Sequence, residues 1–435
     1  MVAVKRIVGS YHAWAGNGAS QAPTWLQDLR TTAIARFESL GFPNMKQEAW
    51  RFTSVAPIAD GSFELAKPPA RVPTLDEIRP FLLLEAGPRL VFVDGFFQRS
   101  LSTPLLDGVA SLADVVSSRQ DLVQRHLGKY AATQDRPFSA LNTAFVNDGA
   151  FVHVPAKAAI AEPIQLLFLA SGGGGGGDKP VVAHPRNLVV LEREARASVV
   201  ETYASLQPGA YWTNGVTEIV AAEGARVDYH RVQRESPKAY HVATTQTHQD
   251  RDSVVNVHTV AFGSVLARHD ISAVMAGPGG TLILNGLYLL DGAQHADHHT
   301  TIDHAADHCE SHEYFNGVLD GKSRGVFTGR IVVRPGAQKT DSKQTNNNLL
   351  LSTEAHADSQ PQLEIYADDV KCTHGSTVGP LDPRALFYLE SRGIGAREAR
   401  RLLTYGFAAE ILGRMEVAPL RAQLDAIVRG RLAEQ

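Results

Sequence analysis

The chain has 435 residues, 44% of them hydrophobic and 20% charged, which is enough for more than one domain and ordinary for a globular protein. Its 42 basic and 46 acidic residues are scattered, which disfavours a nucleic-acid surface. No segment approaches the roughly 18 apolar residues of a membrane span, no signal peptide is visible, and the two cysteines make no disulfide framework. We therefore expect a cytoplasmic protein that binds neither membrane nor nucleic acid.

Residues 1–140 have a mixed but mainly helical pattern. Apolar residues recur at helical spacing through residues 26–40, and the following Gly41 is a typical helix stop. Three further elements, two helices and a strand with a turn, are predicted at residues 75–84, 112–127 and 90–97. We interpret this part as an N-terminal helical domain that caps an open end of the next one.

Residues 141–378 consist of short strand-like pieces separated by turn residues. An internal echo links residues 194–199 to 224–229 and, further along, to 280–284. Such spacing is typical of a β-solenoid, because each coil buries its inward side chains against the coils above and below. The asparagines at 346–348 support a solenoid if they stack at its corners. A β-sandwich is the alternative that this pattern leaves open.

Residues 379–435 return to helical periodicity, with three helices predicted at residues 384–392, 396–405 and 420–432. Asp382 is a typical N-cap for the first of them, followed by Pro383 at the first helical position. Three short helices cannot bury all the apolar side chains of this segment among themselves. They either pack on the β domain or dock a partner protein.

Cys372 and His374 form the strongest candidate site. On a strand, residues two positions apart point to the same side, so the thiol and the imidazole face one partner together. Both are ligands for iron in iron–sulfur clusters, although a Cys-x-His pair is common by chance. Two cysteines cannot supply the usual four thiolates, so a cluster bound here needs ligands from a second chain.

A histidine-rich run gives a weaker metal candidate. On a strand, its adjacent histidines His298 and His299 point to opposite faces, so solvated or turn-bonded histidines are the favoured interpretation. The possible ligands of a weak metal site here are His304, His308 and Cys309.

Motifs for nucleotide binding and nucleophilic catalysis are missing from the sequence. The glycines at 172–177 are followed by Asp-Lys-Pro and not by the Gly-Lys-Ser/Thr of a phosphate-binding loop, so we expect a flexible loop and no ATP site on this chain. A nucleophile elbow with an ordered base constellation cannot be picked out from the sequence either. These observations predict a protein that is not an enzyme.

Four segments in one order resemble the core of the SufB/SufD family, scaffold subunits of the SUF machinery for iron–sulfur cluster assembly: FNGVLDGKSRGVFTGRIVV, QKTDSKQTNNNLLLS, DDVKCTHGSTVG and LFYLESRGI. The segment GFPNMKQEAWRFTSV at residues 41–55 resembles the SufD type more than SufB. The resemblance implies a mainly β protein: a right-handed parallel β-helix core between N-terminal and C-terminal helical domains.

The resemblance also implies a non-enzymatic scaffold that pairs with SufB, shares a transient iron–sulfur cluster with it, and binds the SufC ATPase. His374 would be the main cluster ligand or stabiliser, opposite a SufB cysteine, with Cys372 as its neighbour. A homodimer is possible when the partner is absent. Candidate SufC-docking residues on the C-terminal helices are Leu386, Leu389, Leu402, Leu403, Phe407 and Ile411.

Two alternatives remain at this point. The chain could be a SufB-type subunit, against which the low cysteine count and residues 41–55 argue. It could also be a cytosolic β-helix enzyme acting on polysaccharide, which the 7% aromatic content disfavours.

Overall fold

A computed structural model describes residues 2–16, 22–172 and 179–434. The helices are α1 (Val2–Gly16), α2 (Thr24–Leu40), α3 (Ala56–Asp60), α4 (Leu75–Ile78), α5 (Leu112–Ser118), α6 (Gln120–His126), α7 (Pro137–Ala144), α8 (Pro383–Ser391), α9 (Ala396–Leu412) and α10 (Ala418–Glu434). Apart from Gly172, the glycine loop predicted at residues 172–177 lies outside the described residues.

The strands follow one another through the middle of the chain. They are β1 (Glu64–Leu65), β2 (Arg89–Val93), β3 (Phe96–Phe97), β4 (Val109–Ser111), β5 (Ala150–Val154), β6 (Ile164–Ala170), β7 (Val181–Ala183), β8 (Arg186–Leu191), β9 (Arg196–Ser205), β10 (Trp212–Ala221), β11 (Arg226–Arg234), β12 (Tyr240–Gln249), β13 (Val254–Ala261), β14 (Leu266–Met275), β15 (Thr281–Leu290), β16 (His295–His304), β17 (Glu310–Leu319), β18 (Arg324–Val333), β19 (Asp341–Leu350), β20 (His356–Ile365) and β21 (Lys371–Gly379).

Successive strands alternate between two sheets. Sheet A runs in the order β20-β18-β16-β14-β12-β10-β8-β5-β4, and sheet B in the order β21-β19-β17-β15-β13-β11-β9-β6-β2-β3. From β8 onward every pairing is parallel and joins a strand to the one two places later, so each coil adds one strand to each sheet. This is a parallel β-solenoid with helices at both termini, which confirms the predicted fold class and excludes the sandwich.

The internal echo in the sequence corresponds to one edge of stacked coils. Arg196 pairs with Arg226, Arg226 with Val254, and Val254 with Thr281. Glu194 and Gly224 occupy the same corner of successive coils, and both have left-handed backbone, with φ of 59° and 66°. The corner geometry therefore repeats even though only one of the two residues is a glycine.

Helices cover the outer faces of the two sheets. Helices α1, α2, α3 and α7 pack on sheet A around Trp212 and Val242, whereas α4 packs on sheet B through Ile78. The C-terminal helices α9 and α10 pack on sheet B around Val232, Val260 and Leu287. None of the described helices is long and apolar enough to cross a membrane. Most helices of the N-terminal region thus cover sheet A, and the C-terminal helices α9 and α10 cover sheet B.

Several predicted elements differ from the observed ones. The helix expected at 75–84 stops at Ile78 and continues as a 3-10 turn, because Pro80 lacks the backbone N–H that an α-helix would use. The helix expected at 112–127 is two helices that meet at Arg119, whose φ of -125° is not helical. The asparagines at 346–348 lie within β19 and not at a corner.

The two ends of the solenoid are finished differently. At the first end the sheets end in antiparallel pairs, β2 with β3 and β4 with β5. At the last end β20 and β21 are the terminal strands of sheets A and B, and no further strand among the described residues pairs with either. The last end of the solenoid is therefore open.

Candidate functional site

β21 carries Cys372 and His374 and offers a free backbone edge. Its inner edge pairs in parallel with β19, and the N–H of Lys371 bonds to the carbonyl of Thr340. Because parallel ladders alternate, the N–H groups of the even-numbered residues, Cys372 to Val378, point away from β19. Such a row of unpaired groups is a template for pairing with another chain.

The side chains of Cys372 and His374 share the inward face of this last coil. Cys372 packs against the apolar interior of the solenoid. Ser376 donates a hydrogen bond across the end of the solenoid to Ser359 of β20, with 2.8 Å between the hydroxyl oxygens. His374 lies two residues from each of them and therefore points to the same side.

Within the part of the chain that the structure describes, no further coil covers these inward-facing residues. His374 is exposed and Cys372 is half-buried, whereas their register partners Gln344 and Ser342 on β19 are buried. Burial, with a smaller contribution from the nearby Asp341 carboxylate, raises the pKa of the Cys372 thiol. The free chain thus holds Cys372 in its protonated form at neutral pH.

The interior beneath the two residues changes from apolar to polar near the open end. In both columns of register partners the earlier coils carry apolar residues and the last three carry polar ones. The Cys372 column runs Val255, Leu282, Ser311, Ser342, Cys372, and the His374 column runs Val257, Leu284, Glu313, Gln344, His374.

These buried polar residues bond to one another. The hydroxyl oxygens of Ser311 and Ser342 are 2.7 Å apart, and Ser311 Oγ lies 2.9 Å from His304 Nε2. Gln344 Nε2 donates to Glu313 Oε2 at 2.6 Å. Burial raises the pKa of the Glu313 carboxyl to about 7, against the opposing effect of the Gln344 hydrogen bond.

Sequence reasoning did not identify Ser311, Glu313, Ser342 or Gln344 as part of the site. The alternation of polar residues is visible in both strands, but only the register shows which of them lie beneath Cys372 and His374. The residues come from strands separated by about thirty positions, so no local motif connects them.

The three possible ligands of the weaker metal site lie in different surroundings. His304 is buried, and burial lowers its pKa to about 4. His308 sits exposed at a corner with φ of 56°. Cys309 is buried, and its Sγ donates to the carbonyl oxygen of Gly277 at 3.4 Å. Across the described ranges, no group of three or more His, Cys, Asp or Glu side chains is arranged to hold a metal ion.

The adjacent histidines of β16 point apart, as their positions on a strand require. His298 is buried inside the solenoid and stacks on Tyr288 with ring centroids 5.0 Å apart. His299 lies on the outer face of sheet A, where its Nδ1 is 2.9 Å from Arg268 Nη2.

The C-terminal helices present an apolar surface that the β core does not cover. No residue of α8 is buried, and Phe387, Tyr388 and Leu402 are 71%, 57% and 42% exposed. Ile411, by contrast, is fully buried between α9 and sheet B. The others among the predicted docking residues, Leu386, Leu389, Leu403 and Phe407, are partly buried. Sequence reasoning missed Phe387 and Tyr388, which are the most exposed apolar side chains of this surface.

Comparison with known proteins agrees with this architecture. The family model described as "SUF system FeS cluster assembly, SufBD core domain" matches residues 173–407, and the "SufBD protein N-terminal region" model matches residues 6–166. An iron-sulfur cluster assembly SufBD family protein of Synechocystis is 33% identical over 420 residues, covering 93% of this chain and 91% of that protein.

Two relatives carry the name SufD. The iron-sulfur cluster assembly protein SufD of Escherichia coli is 30% identical over 427 residues, covering 97% of this chain and 96% of the relative. The SufD protein of Bacillus subtilis is 27% identical, with 95% of each chain covered. The predicted family is confirmed, and the chain belongs to the SufBD family of iron–sulfur cluster assembly proteins.

Proposed function

We propose that this chain is a SufD-type scaffold subunit that pairs with a SufB-like subunit through its open solenoid end. A nascent iron–sulfur cluster forms at that interface, with His374 as a ligand and Cys372 beside it. The observation that carries the proposal is the uncovered last coil, on which β21 holds an exposed His374 and a half-buried Cys372 next to a free strand edge.

The open end has the properties of an interface. Ile365, Tyr366 and Val378, at the ends of the two terminal strands, are 41%, 61% and 48% exposed. Covering them with apolar groups of a partner stabilises association by about 25 cal/mol per Å² of apolar surface removed from water. Strand addition by the partner would also satisfy the outward N–H groups of β21.

The supply of ligands favours a cluster shared between two chains. Of the two cysteines, Cys309 is fully buried and bonded to backbone carbonyls, which leaves one thiol at the open end, beside the His374 imidazole. An iron–sulfur cluster takes about four protein ligands, so the partner must supply the rest. His374 binds iron as a neutral imidazole, which leaves the second ring nitrogen as a hydrogen-bond donor.

The energy for assembly would come from a SufC-like ATPase docked on α8 and the adjacent part of α9. The exposed Phe387, Tyr388 and Leu402 form an apolar surface on these helices, and large aromatic side chains are typical interface anchors. The short link from β21 to α8 joins this docking surface directly to the strand that carries His374. Movement of the ATPase would thereby be transmitted through α8 to β21, the strand at the cluster interface.

The decisive experiment is co-expression of this chain with SufB-like and SufC-like subunits, followed by anaerobic purification. Iron and sulfide per complex are measured for wild type, His374→Ala and a control, His12→Ala, which removes an exposed histidine of α1. We expect complete complexes in all three and loss of most bound iron and sulfide in His374→Ala alone. Unchanged cluster content in His374→Ala would overturn the assignment.

Docking of the ATPase has its own test. We expect Phe387→Glu and Leu402→Glu to remove the SufC-like subunit from the purified complex while the SufB-like subunit stays. Gln423→Glu, which adds the same charge to the exposed side of α10, is the control and should retain both. Retention of the ATPase by both α8 and α9 variants would exclude this surface.

A further inference from the structure

The nitrogen of the Gln344 side-chain amide is hydrogen-bonded, whereas its oxygen is not. Its Nε2 donates to Glu313 Oε2 at 2.6 Å. Its Oε1 is buried without a hydrogen-bond partner among the described residues. An unpaired buried acceptor costs about 1–3 kcal/mol. Among the unpaired buried atoms of the described chain, this one belongs to the register partner of the exposed His374.

Glu313 fixes which end of the amide is left free. A carboxyl oxygen that accepts from Gln344 requires the amide nitrogen, and the carbonyl oxygen must then face away from it. Glu313 is 2% exposed and Gln344 likewise 2%, so water does not compete for this arrangement. The interior therefore presents a hydrogen-bond acceptor with a set direction.

His374 is the next residue in this column. His374 lies on β21 and is the register partner of Gln344 on β19. Gln344 is in turn the register partner of Glu313 on β17. Paired residues of adjacent parallel strands lie about 5 Å apart with side chains on the same face, which brings the imidazole within reach of Gln344 Oε1. His374 is exposed in the free chain and becomes buried only when a partner covers the open end of the solenoid.

A histidine that binds a metal almost always donates its other ring N–H to a carbonyl or carboxylate oxygen, which fixes the tautomer and the direction of the ring. We propose that Gln344 and Glu313 are the positioning residues of His374. In the assembled complex His374 donates one ring N–H to Gln344 Oε1 and directs its other nitrogen at the shared cluster, while Glu313 holds the Gln344 amide in the required orientation.

This inference rests on the proposed function, because it assigns partners to the ligand that the function requires. It adds two residues, and it explains why the His374 column turns polar only in its last three coils. Its prediction is that the cluster depends on an acceptor below His374 and not merely on a filled interior.

The test uses the co-purified complex with three variants beside wild type. Gln344→Met keeps the length of the side chain and removes both polar atoms. His374→Ala is the reference for loss of the ligand. The double exchange Glu313→Gln with Gln344→Glu keeps the same groups in reversed order and still places an acceptor oxygen below His374.

We measure iron and sulfide content and the rate at which a chelator removes the iron, after checking melting temperature and co-purification of the partner. We expect Gln344→Met to lose iron about tenfold faster than wild type, the lower end of the range for residues that orient metal ligands. The double exchange should bring the rate back to within about threefold of wild type. A role in packing alone would not give this rescue.

The possible failures are distinguishable. Loss of the cluster in His374→Ala with wild-type behaviour in Gln344→Met overturns the positioning role and leaves the proposed function intact. A normal cluster in His374→Ala overturns the proposed function and this inference with it. A folded, co-purifying double exchange that is as defective as Gln344→Met also overturns the inference. If Gln344→Met fails to assemble, Glu313→Gln replaces it and should show a smaller loss in the same direction.

Discussion

The two ends of the solenoid differ in how a buried carboxyl group and the strand edges are bonded. Near the first end the buried carboxylate of Glu218 bonds to Arg186 at 2.6 Å and accepts from three backbone N–H groups of the segment 128–131 at 2.8 to 2.9 Å. At the last end the terminal strands have free edges, and Gln344 Oε1 is buried without a partner within the described chain. The paired end is bonded within one chain, whereas the last end keeps bonding groups that the proposed partner would satisfy.

The interior of the solenoid also differs between its early and its last coils. In the columns beneath Cys372 and His374, the early coils are filled by apolar residues such as Val255 and Leu284, which need only packing. The last coils hold Glu313 and Gln344, whose burial is favourable only if their hydrogen bonds are completed. The proposed site thus lies where the two columns change from apolar to polar residues.

The largest effect is expected at the paired end. Glu218→Ala leaves the buried Arg186 without its counter-charge and three backbone N–H groups without an acceptor, so we expect a loss of about 3–5 kcal/mol in the free energy of unfolding. Denaturant titration measures it. Glu410→Ala, which removes an exposed ion pair with Arg414, is the control and should change stability by less than about 1 kcal/mol. Equal losses in the two variants would contradict the contrast between buried and exposed pairs.

The second effect concerns the pH dependence of stability at the open end. The pKa of Glu313 is raised to about 7 in the folded chain from 4.5, so the folded state binds this proton more tightly than the unfolded state. Its contribution to stability is therefore present below the unfolded value and is lost as pH rises through about 7. The full loss is about 3 kcal/mol, at 1.36 kcal/mol per pH unit.

Glu313→Gln removes this titration. We expect the stability of the variant relative to wild type to rise by up to about 3 kcal/mol between pH 4.5 and 7.5. Denaturant unfolding across this pH range measures the difference in the free energy of unfolding between the two proteins. The buried histidines titrate in both, so their contribution to this difference cancels. A constant difference would show that Glu313 titrates normally.

The third effect sharpens the role of the free edge. The N–H of Val378 points away from β19, so Val378→Pro should leave the fold intact and block strand pairing by a partner. We expect affinity for the SufB-like subunit to fall by about tenfold, the equivalent of about one hydrogen bond. Val378→Ala retains the N–H and serves as the control in a titration of the two purified subunits. Equal affinities for the Pro and Ala variants would show that β21 does not pair through this edge.

The smallest effect concerns the two thiols. Cys372 is half-buried and Cys309 fully buried, and burial raises the pKa of both. We expect iodoacetamide at pH 7 to label Cys372 slowly in the free chain, Cys309 only after unfolding, and neither in the assembled complex. Mass spectrometry of the alkylated peptides distinguishes them. Labelling of Cys372 at the same rate with and without the partner would place it outside the interface.

The sequence by itself determined the class of the fold and the candidate ligands. Turn spacing and the echo of residues 194–199 at 224–229 predicted stacked coils, because inward side chains of a solenoid must repeat along the chain. The i, i+2 spacing placed Cys372 and His374 on one side, because strand geometry is local. The family segments supplied the cluster-assembly function.

Only the tertiary structure decided that the last coil is uncovered and that Glu313 and Gln344 lie beneath His374. Both depend on which strands become neighbours and in which register, and a shift of one residue would turn each side chain to the opposite face. Tertiary packing also buried Ile411 and left Phe387 exposed, although both are apolar residues of the C-terminal helices. Periodicity gives the apolar face of a helix, but the docking of that face on sheet B determines which side chains remain for a partner.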